Sequence, residues 1–185
     1  LTASALAISA GSGAHVDNGK GTWSYTPAAN DSSSVSFSYT ISDGNGGSVG
    51  GTANLDITPV NDAPTTTPVT LAPIAEDSGP RLITQAELLA NAGDVDGDAL
   101  TASALAISSG SGTLVNNGDG TWSYTPAAND NSSVSFSYTI SDGNGGTVAG
   151  SATLDITPVN DPPTTTPVTL APIAEDSGPR LITQA

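Results

Sequence analysis

Leu1 to Ala86 is repeated 99 positions later as Leu100 to Ala185, with no insertion or deletion between the copies, and only 11 of the 86 aligned positions differ. A chain built this way must close a core within each period and then hand itself on to the next copy, which is the organisation of a tandem array. One period is long enough to bury a single core. The repeat therefore predicts three units. Residues 1–62 form a unit without its opening strands, 63–161 a complete unit, and 162–185 the opening strands of a third, with both visible ends expected to lie inside a longer array.

Within the complete unit, Val134, Phe136, Tyr138 and Ile140 alternate with Ser and Thr, and Val148, Ala152, Leu154 and Ile156 alternate with polar or small residues. Period two over such lengths means strands with one buried face. The Asp142-Gly-Asn-Gly-Gly146 run between them supplies turn residues, so the pair reads as a hairpin. A second hairpin joins Gly112–Val115 to Thr121–Thr125 through Asn116–Gly120. Ala99 to Ile107 is expected to be a strand with Leu100, Ala102, Ala104 and Ala106 on one face. Thr65 to Ile74, with prolines at 68 and 73, reads as an edge strand, and Arg81–Thr84 as a short one. Thr84-Gln-Ala-Glu87 fits a capping box that starts a short helix stopped at Gly93. About seven short strands per unit predict an all-β fold of tandem antiparallel β-sandwich domains, immunoglobulin-like in shape. Trp122, Tyr124, Phe136 and Tyr138 are its expected core anchors, matched by Trp23, Tyr25, Phe37 and Tyr39.

The chain carries 18 acidic residues against 3 basic ones, a net charge of -15. That balance excludes nucleic acid and anionic membrane surfaces as partners and favours cations. No run approaches the roughly 18 apolar residues of a membrane span, so no direct membrane insertion is expected. With no cysteine, neither disulfides nor thiolate sites can hold the fold. Asp94-Val-Asp-Gly-Asp98 sets three carboxylates at alternate positions of a glycine-tightened loop, a pattern suited to a hard oxygen-ligated ion, above all Ca2+. Catalysis finds no footing. His15 is the one histidine, expected at a solvent-exposed strand position, and Leu114 stands at its counterpart, so no repeated histidine-dependent site exists.

The strand ending Leu154-Asp-Ile-Thr-Pro-Val-Asn-Asp-Pro-Pro163, matched by Leu55 to Pro64, runs straight into an Asn-Asp-X-Pro linker. Together with Glu76-Asp77 and Asp142, these residues make the chain resemble, over its whole length, the cadherin-like repeats of giant bacterial surface adhesins exported by type I secretion. The resemblance implies calcium at each junction. Asn61 and Asp62 would be linker ligands, with Asp94, Asp96 and Asp142 contributed by the following domain. Glu76, Asn160 and Asp161 would serve the next junction. A Leu-Asp-Arg-Glu run, frequent in cadherins, is missing.

These readings converge on a non-enzymatic, calcium-stiffened extender repeat of a bacterial cell-surface adhesin or extracellular fibre, involved in cell adhesion. Its partners would be neighbouring repeats of the same chain, with lateral or head-to-tail self-association possible. Two alternatives stand beside it. One is a carbohydrate-binding module of the same surface protein. The other is a subunit of a donor-strand-type filament, suggested by the missing opening strands of residues 1–62 and the unaccompanied ones at 162–185.

Overall fold

The computed structural model describes residues 1–183; Gln184 and Ala185, the end of the expected third unit, lie outside the described residues. The first five strands are β1 (Thr2–Ala10), β2 (Ala14–Gly19), β3 (Thr22–Thr26), β4 (Val35–Ser42) and β5 (Ser48–Leu55). They form a β1-β4-β5 sheet and a separate β2-β3 hairpin. After the linker come β6 (Thr65–Thr66), β7 (Val69–Ala75), β8 (Arg81–Thr84), helix α1 (Gln85–Leu88) and β9 (Ala92–Gly93). The copies of β1 to β5 follow as β10 (Thr101–Ser109), β11 (Thr113–Asn116), β12 (Thr121–Thr125), β13 (Val134–Ser141) and β14 (Thr147–Thr157).

Residues 65–157 make a two-layer sandwich, one sheet ordered β10-β13-β14-β7 and the other β11-β12-β8, with a small β6-β9 pair beside them. β14 reaches this geometry through strict alternation, its Gly150, Ala152, Leu154 and Ile156 facing inward. Trp122, Tyr124, Phe136, Tyr138, Ile140 and Leu154 are buried against Ile83, Leu88, Val69 and Leu71 from the opening strands and helix. Each large apolar side chain closed off in this way contributes about 1.5–3 kcal/mol of transfer free energy. Tyr124 and Phe136 meet edge to face with centroids 5.4 Å apart, and the Tyr138 hydroxyl donates to Leu88 O at 2.7 Å.

Four local details differ from the sequence reading. The Thr65–Ile74 segment is broken into β6 and β7, because Pro68 interrupts the run. β7 is indeed an edge strand, but it pairs parallel to β14; Pro73 is tolerated where no further strand needs its missing amide. The predicted capping box at Thr84 is formed in both directions, yet the helix ends at Leu88, with Leu89 as its C-cap, and Gly93 joins β9. In β10 the alternation slips, since Ala104 takes φ +54° and the register with β13 shifts between Ser103 and Ala106. This bulge buries Ala102 and Leu105 together, leaving Ala104 exposed instead of facing inward with Ala102. Finally, His15 is half-buried, not solvent-exposed, and a ring nitrogen lies 2.9 Å from Leu6 O.

Candidate metal centre

The loop at 94–98 folds on its own first carboxylate. Asp94 Oδ1 accepts from the amides of Asp96 at 2.9 Å and Asp98 at 3.5 Å, and Gly97 takes the positive φ, +80°, that lets the chain turn back. Opposite it stands the β13–β14 hairpin, where Asp142 Oδ1 accepts from the amides of Asn144 at 2.8 Å and Gly146 at 3.0 Å. The two turns bring one carboxylate oxygen each from Asp94, Asp98 and Asp142 to within 4.8 Å of one another. Asp142 is only 4 % exposed. The Asn61 amide, supported by the Asn144 and Gly146 amides and opposed by burial, holds the Asp142 carboxyl below the usual carboxylate range.

The linker lies against this cluster. Asn61 donates from Nδ2 to Asp142 Oδ2 at 2.8 Å, and the Asp62 amide donates to Asp96 Oδ2 at 2.8 Å. Pro64 is buried, and Thr65 and Thr66 then pair with Gly93 and Ala92. Position 146 must be glycine for this approach, since a Cβ there would lie 2.8 Å from Ala63 Cα and 2.1 Å from Asp142 Oδ2.

Of the residues singled out from the sequence, Asp94, Asp98 and Asp142 come together, with Asn61 bonded to Asp142. Asp96 is exposed and points to the linker amide of Asp62. Glu76 is buried at 6 % exposure on the far end of the unit, its Oε1 accepting from the Val159 amide at 2.7 Å. Asn160 and Asp161 are exposed in the second linker, where Asn160 Nδ2 approaches Asp161 O at 3.4 Å. One residue escaped sequence reasoning. Asn144 donates from Nδ2 to Asp98 Oδ2 at 2.8 Å; its only sequence signal was membership in the glycine-rich turn.

The sequence profile of the cadherin-like domain matches residues 1–58 and 60–157. The chain belongs to the cadherin-like domain family. Cadherin-like domains are extracellular, adhesion-type modules, and they generally bind Ca2+. Among solved structures, the human mucin-like protocadherin EC1-2 aligns at 15 % identity over 84 % of this chain and 84 % of that one, with a TM-score of 0.52. Protocadherin gamma B2 extracellular cadherin domains 1-5 align at 17 % identity over 85 % of this chain and 33 % of that one, TM-score 0.51. These likenesses establish the cadherin-like β-sandwich. An endo-fucoidan hydrolase of glycoside hydrolase family 107 aligns at 22 % identity over 84 % of this chain, but this chain spans only 24 % of that one and the TM-score is 0.36, too low to bear on catalysis. No curated protein matches the sequence. No helix among the described residues is long and apolar enough to cross a membrane.

The residues fit the calcium that the cadherin-like family implies. All donors are hard oxygens, as Ca2+ requires. Asp94 Oδ2 is buried with no hydrogen-bond partner, an arrangement costly for a carboxylate oxygen unless something else satisfies it.

Proposed function

We propose that this cadherin-like chain is a calcium-stiffened extender segment of a large bacterial surface adhesin or extracellular fibre, built from the units 1–62, 63–161 and 162–185. One observation carries the reading: the Asp94–Asp98–Asp142 cluster, three carboxylate oxygens within 4.8 Å, sits where the linker residues Asn61 and Asp62 dock. Three anions so close repel unless a cation lies among them. Calcium held by Asp94, Asp98 and Asp142 would remove that repulsion and, through Asn61, fix the linker on the unit that follows. Asn160, Asp161 and Glu76 would meet the next repeat in the same way. Length is then the functional product: β14 alone, at about 3.4 Å per residue, spans roughly 37 Å.

The carbohydrate-binding reading lacks a platform in the complete unit, because Trp122, Tyr124, Phe136 and Tyr138 are buried in its core. The extender reading is tested by calorimetry of the full chain in calcium, magnesium and chelator. Calcium at a hundredfold excess over its Kd is expected to stabilise the complete unit by about 2.7 kcal/mol, with magnesium much weaker because that ion demands near-ideal octahedral geometry and gives up its water reluctantly, whereas Ca2+ accepts flexible sets of carboxylate oxygens. Equal melting temperatures in calcium and chelator would overturn the reading.

A further inference from the structure

The sequence contains four Asn-Gly pairs, at 18–19, 45–46, 117–118 and 144–145, and each asparagine is exposed at the tip of a hairpin. In such a pair the asparagine side chain is open to attack from within, because the glycine that follows has no side chain to hinder close approach of its main-chain nitrogen to the asparagine Cγ. The attack needs that nitrogen unengaged and the side chain able to swing onto it. The four sites differ in both respects.

Gly19 N donates to Asp17 Oδ1 at 2.8 Å and Gly118 N to Asn116 Oδ1 at 2.9 Å. Their asparagines are tied as well, Asn18 Nδ2 to Ser24 Oγ at 2.8 Å and Asn117 Nδ2 to Thr121 Oγ1 at 2.9 Å. The Asp43–Gly47 turn is otherwise arranged. Asp43 N donates to Gly47 O at 3.1 Å, Gly44 N to Ser42 Oγ at 3.2 Å, and Asn45 N and Gly47 N to Asp43 Oδ1 at 2.8 and 2.9 Å. The exception is Gly46, held at φ +98° with open space on its Cβ side. Among the described residues neither the Gly46 amide nor the Asn45 side chain has a hydrogen-bond partner. Gly145 is as open as Gly46, but there Asn144 Nδ2 is held by Asp98 Oδ2 at 2.8 Å.

We propose that Asn45 is a self-modification site, at which the chain converts its own asparagine to aspartate and isoaspartate through a succinimide. Gly46 N gives its proton to hydroxide or a buffer base and attacks Asn45 Cγ. The new N–Cγ bond closes a ring, and the Cγ–Nδ2 bond breaks to release ammonia. Water then opens the imide: breaking the new bond leaves aspartate at position 45, whereas breaking the original peptide bond leaves isoaspartate, with the main chain routed through the side chain. Water is the sole co-reactant, and nothing is oxidised or reduced. Either product places a second carboxylate in the turn beside Asp43, and isoaspartate also lengthens the main chain between the two amides that Asp43 Oδ1 holds. No residue of the Asp94–Asp98–Asp142 centre takes part, so this chemistry goes beyond the calcium reading and does not depend on it.

The experiment is peptide mapping by mass spectrometry on the full chain aged in mildly alkaline buffer below its melting transition, with isoaspartate detected by enzymatic methyl labelling. Asn45 is expected to convert first, with isoaspartate among its products, at least about threefold faster than Asn18 or Asn117, the factor that one hydrogen bond on the attacking nitrogen carries. Asn144 should trail Asn45. Asp17→Ala, which frees Gly19 N, should quicken conversion at Asn18 by about threefold or more and leave Asn45 unchanged; a thermal melt verifies that this variant is folded. In denaturant the four sites should converge on similar rates. Absence of conversion at Asn45, conversion there without isoaspartate, or Asn18 or Asn117 keeping pace with it in the folded chain would overturn the proposal. So would the folded ranking persisting unchanged in denaturant, since the turn would then have no part in it.

Discussion

Residues 1–55 and 100–154 have nearly the same sequence but different surroundings, and the contrast separates what each segment folds by itself from what its neighbours complete. The strand pairings are alike: Thr2 opposes Ser42 as Thr101 opposes Ser141, and both copies shift register at the same place. Ala5 and Ala104 share φ +54°. Gln85, which grips Ala102 by two 2.7 Å bonds next to that bulge, has no equivalent in the first copy among the described residues, so the bulge comes from the β1–β4 and β10–β13 pairings and not from Gln85. The edge-to-face contact also recurs, Tyr25 with Phe37 at 5.3 Å and Tyr124 with Phe136 at 5.4 Å. Each tyrosine hydroxyl donates to a serine carbonyl, Ser12 or Ser111, whose own hydroxyl donates to Asp31 or Asp130.

Burial is where the copies part. Leu154 is fully buried while Leu55 is 43 % exposed, and Trp122 is buried where Trp23 is half-buried. In the second copy the cover comes from β7, β8 and α1, which supply Val69, Leu71, Ile83 and Leu88; no equivalent segment packs over the first copy among the described residues. Hairpins and corners are thus local property, whereas the closed core is a collective one that needs segments from earlier in the period.

The largest expected effect breaks that symmetry directly. Leu154→Ala should cost about 2–5 kcal/mol, as for a buried leucine leaving a cavity, and Leu55→Ala well under 1 kcal/mol, as for an exposed position; chemical denaturation followed separately at Trp122 and Trp23 in single-tryptophan variants measures both. Equal losses would mean that the first copy has a closed core after all.

A smaller difference is expected at the tyrosines that follow. Tyr138→Phe loses the bond to Leu88 O and should cost about 1 kcal/mol. Tyr39, with no such bond among the described residues, should tolerate the same change, and thermal melts of the paired variants decide it.

The smallest effect should be common to both copies. Asp31 is held down to about 2, chiefly by the Ser12 hydroxyl and then by Ser33, and Asp130 is lowered chiefly by the Ser111 hydroxyl and then by Ser132. Because the folded values lie below the unfolded value of about 3.9, these contacts contribute fully above that pH and are lost as pH falls through the folded values. Tyr25 and Tyr124 ring resonances should therefore shift together below about pH 4, and Asp130→Asn should abolish the response at Tyr124 alone.

Much of this was legible in the sequence. Period-two alternation located β13 and β14, the Asp-Gly-Asn-Gly-Gly turn marked their hairpin, and Thr84 with Glu87 announced the capping box, because each signal is local. The parallel β7–β14 pairing, the bulge at Ala104 and the half-burial of His15 depend on what lies across a sheet, which no local pattern records. For the candidate centre, alternate aspartates flagged the loop. Asn144 was missed because its contact with Asp98 spans 46 residues, and the opposite headings of Asp96 and Asp98 follow from how the linker docks, not from their spacing.

The most direct test of the account is the order between the two copies. Residual dipolar couplings on the full chain, in saturating calcium and in chelator, report whether residues 1–55 and 65–157 align as one body. Calcium is predicted to bring the two sets of couplings onto a common alignment that is lost in chelator. Couplings that are the same in both conditions would contradict the claim that calcium at the Asp94–Asp98–Asp142 centre stiffens the junction.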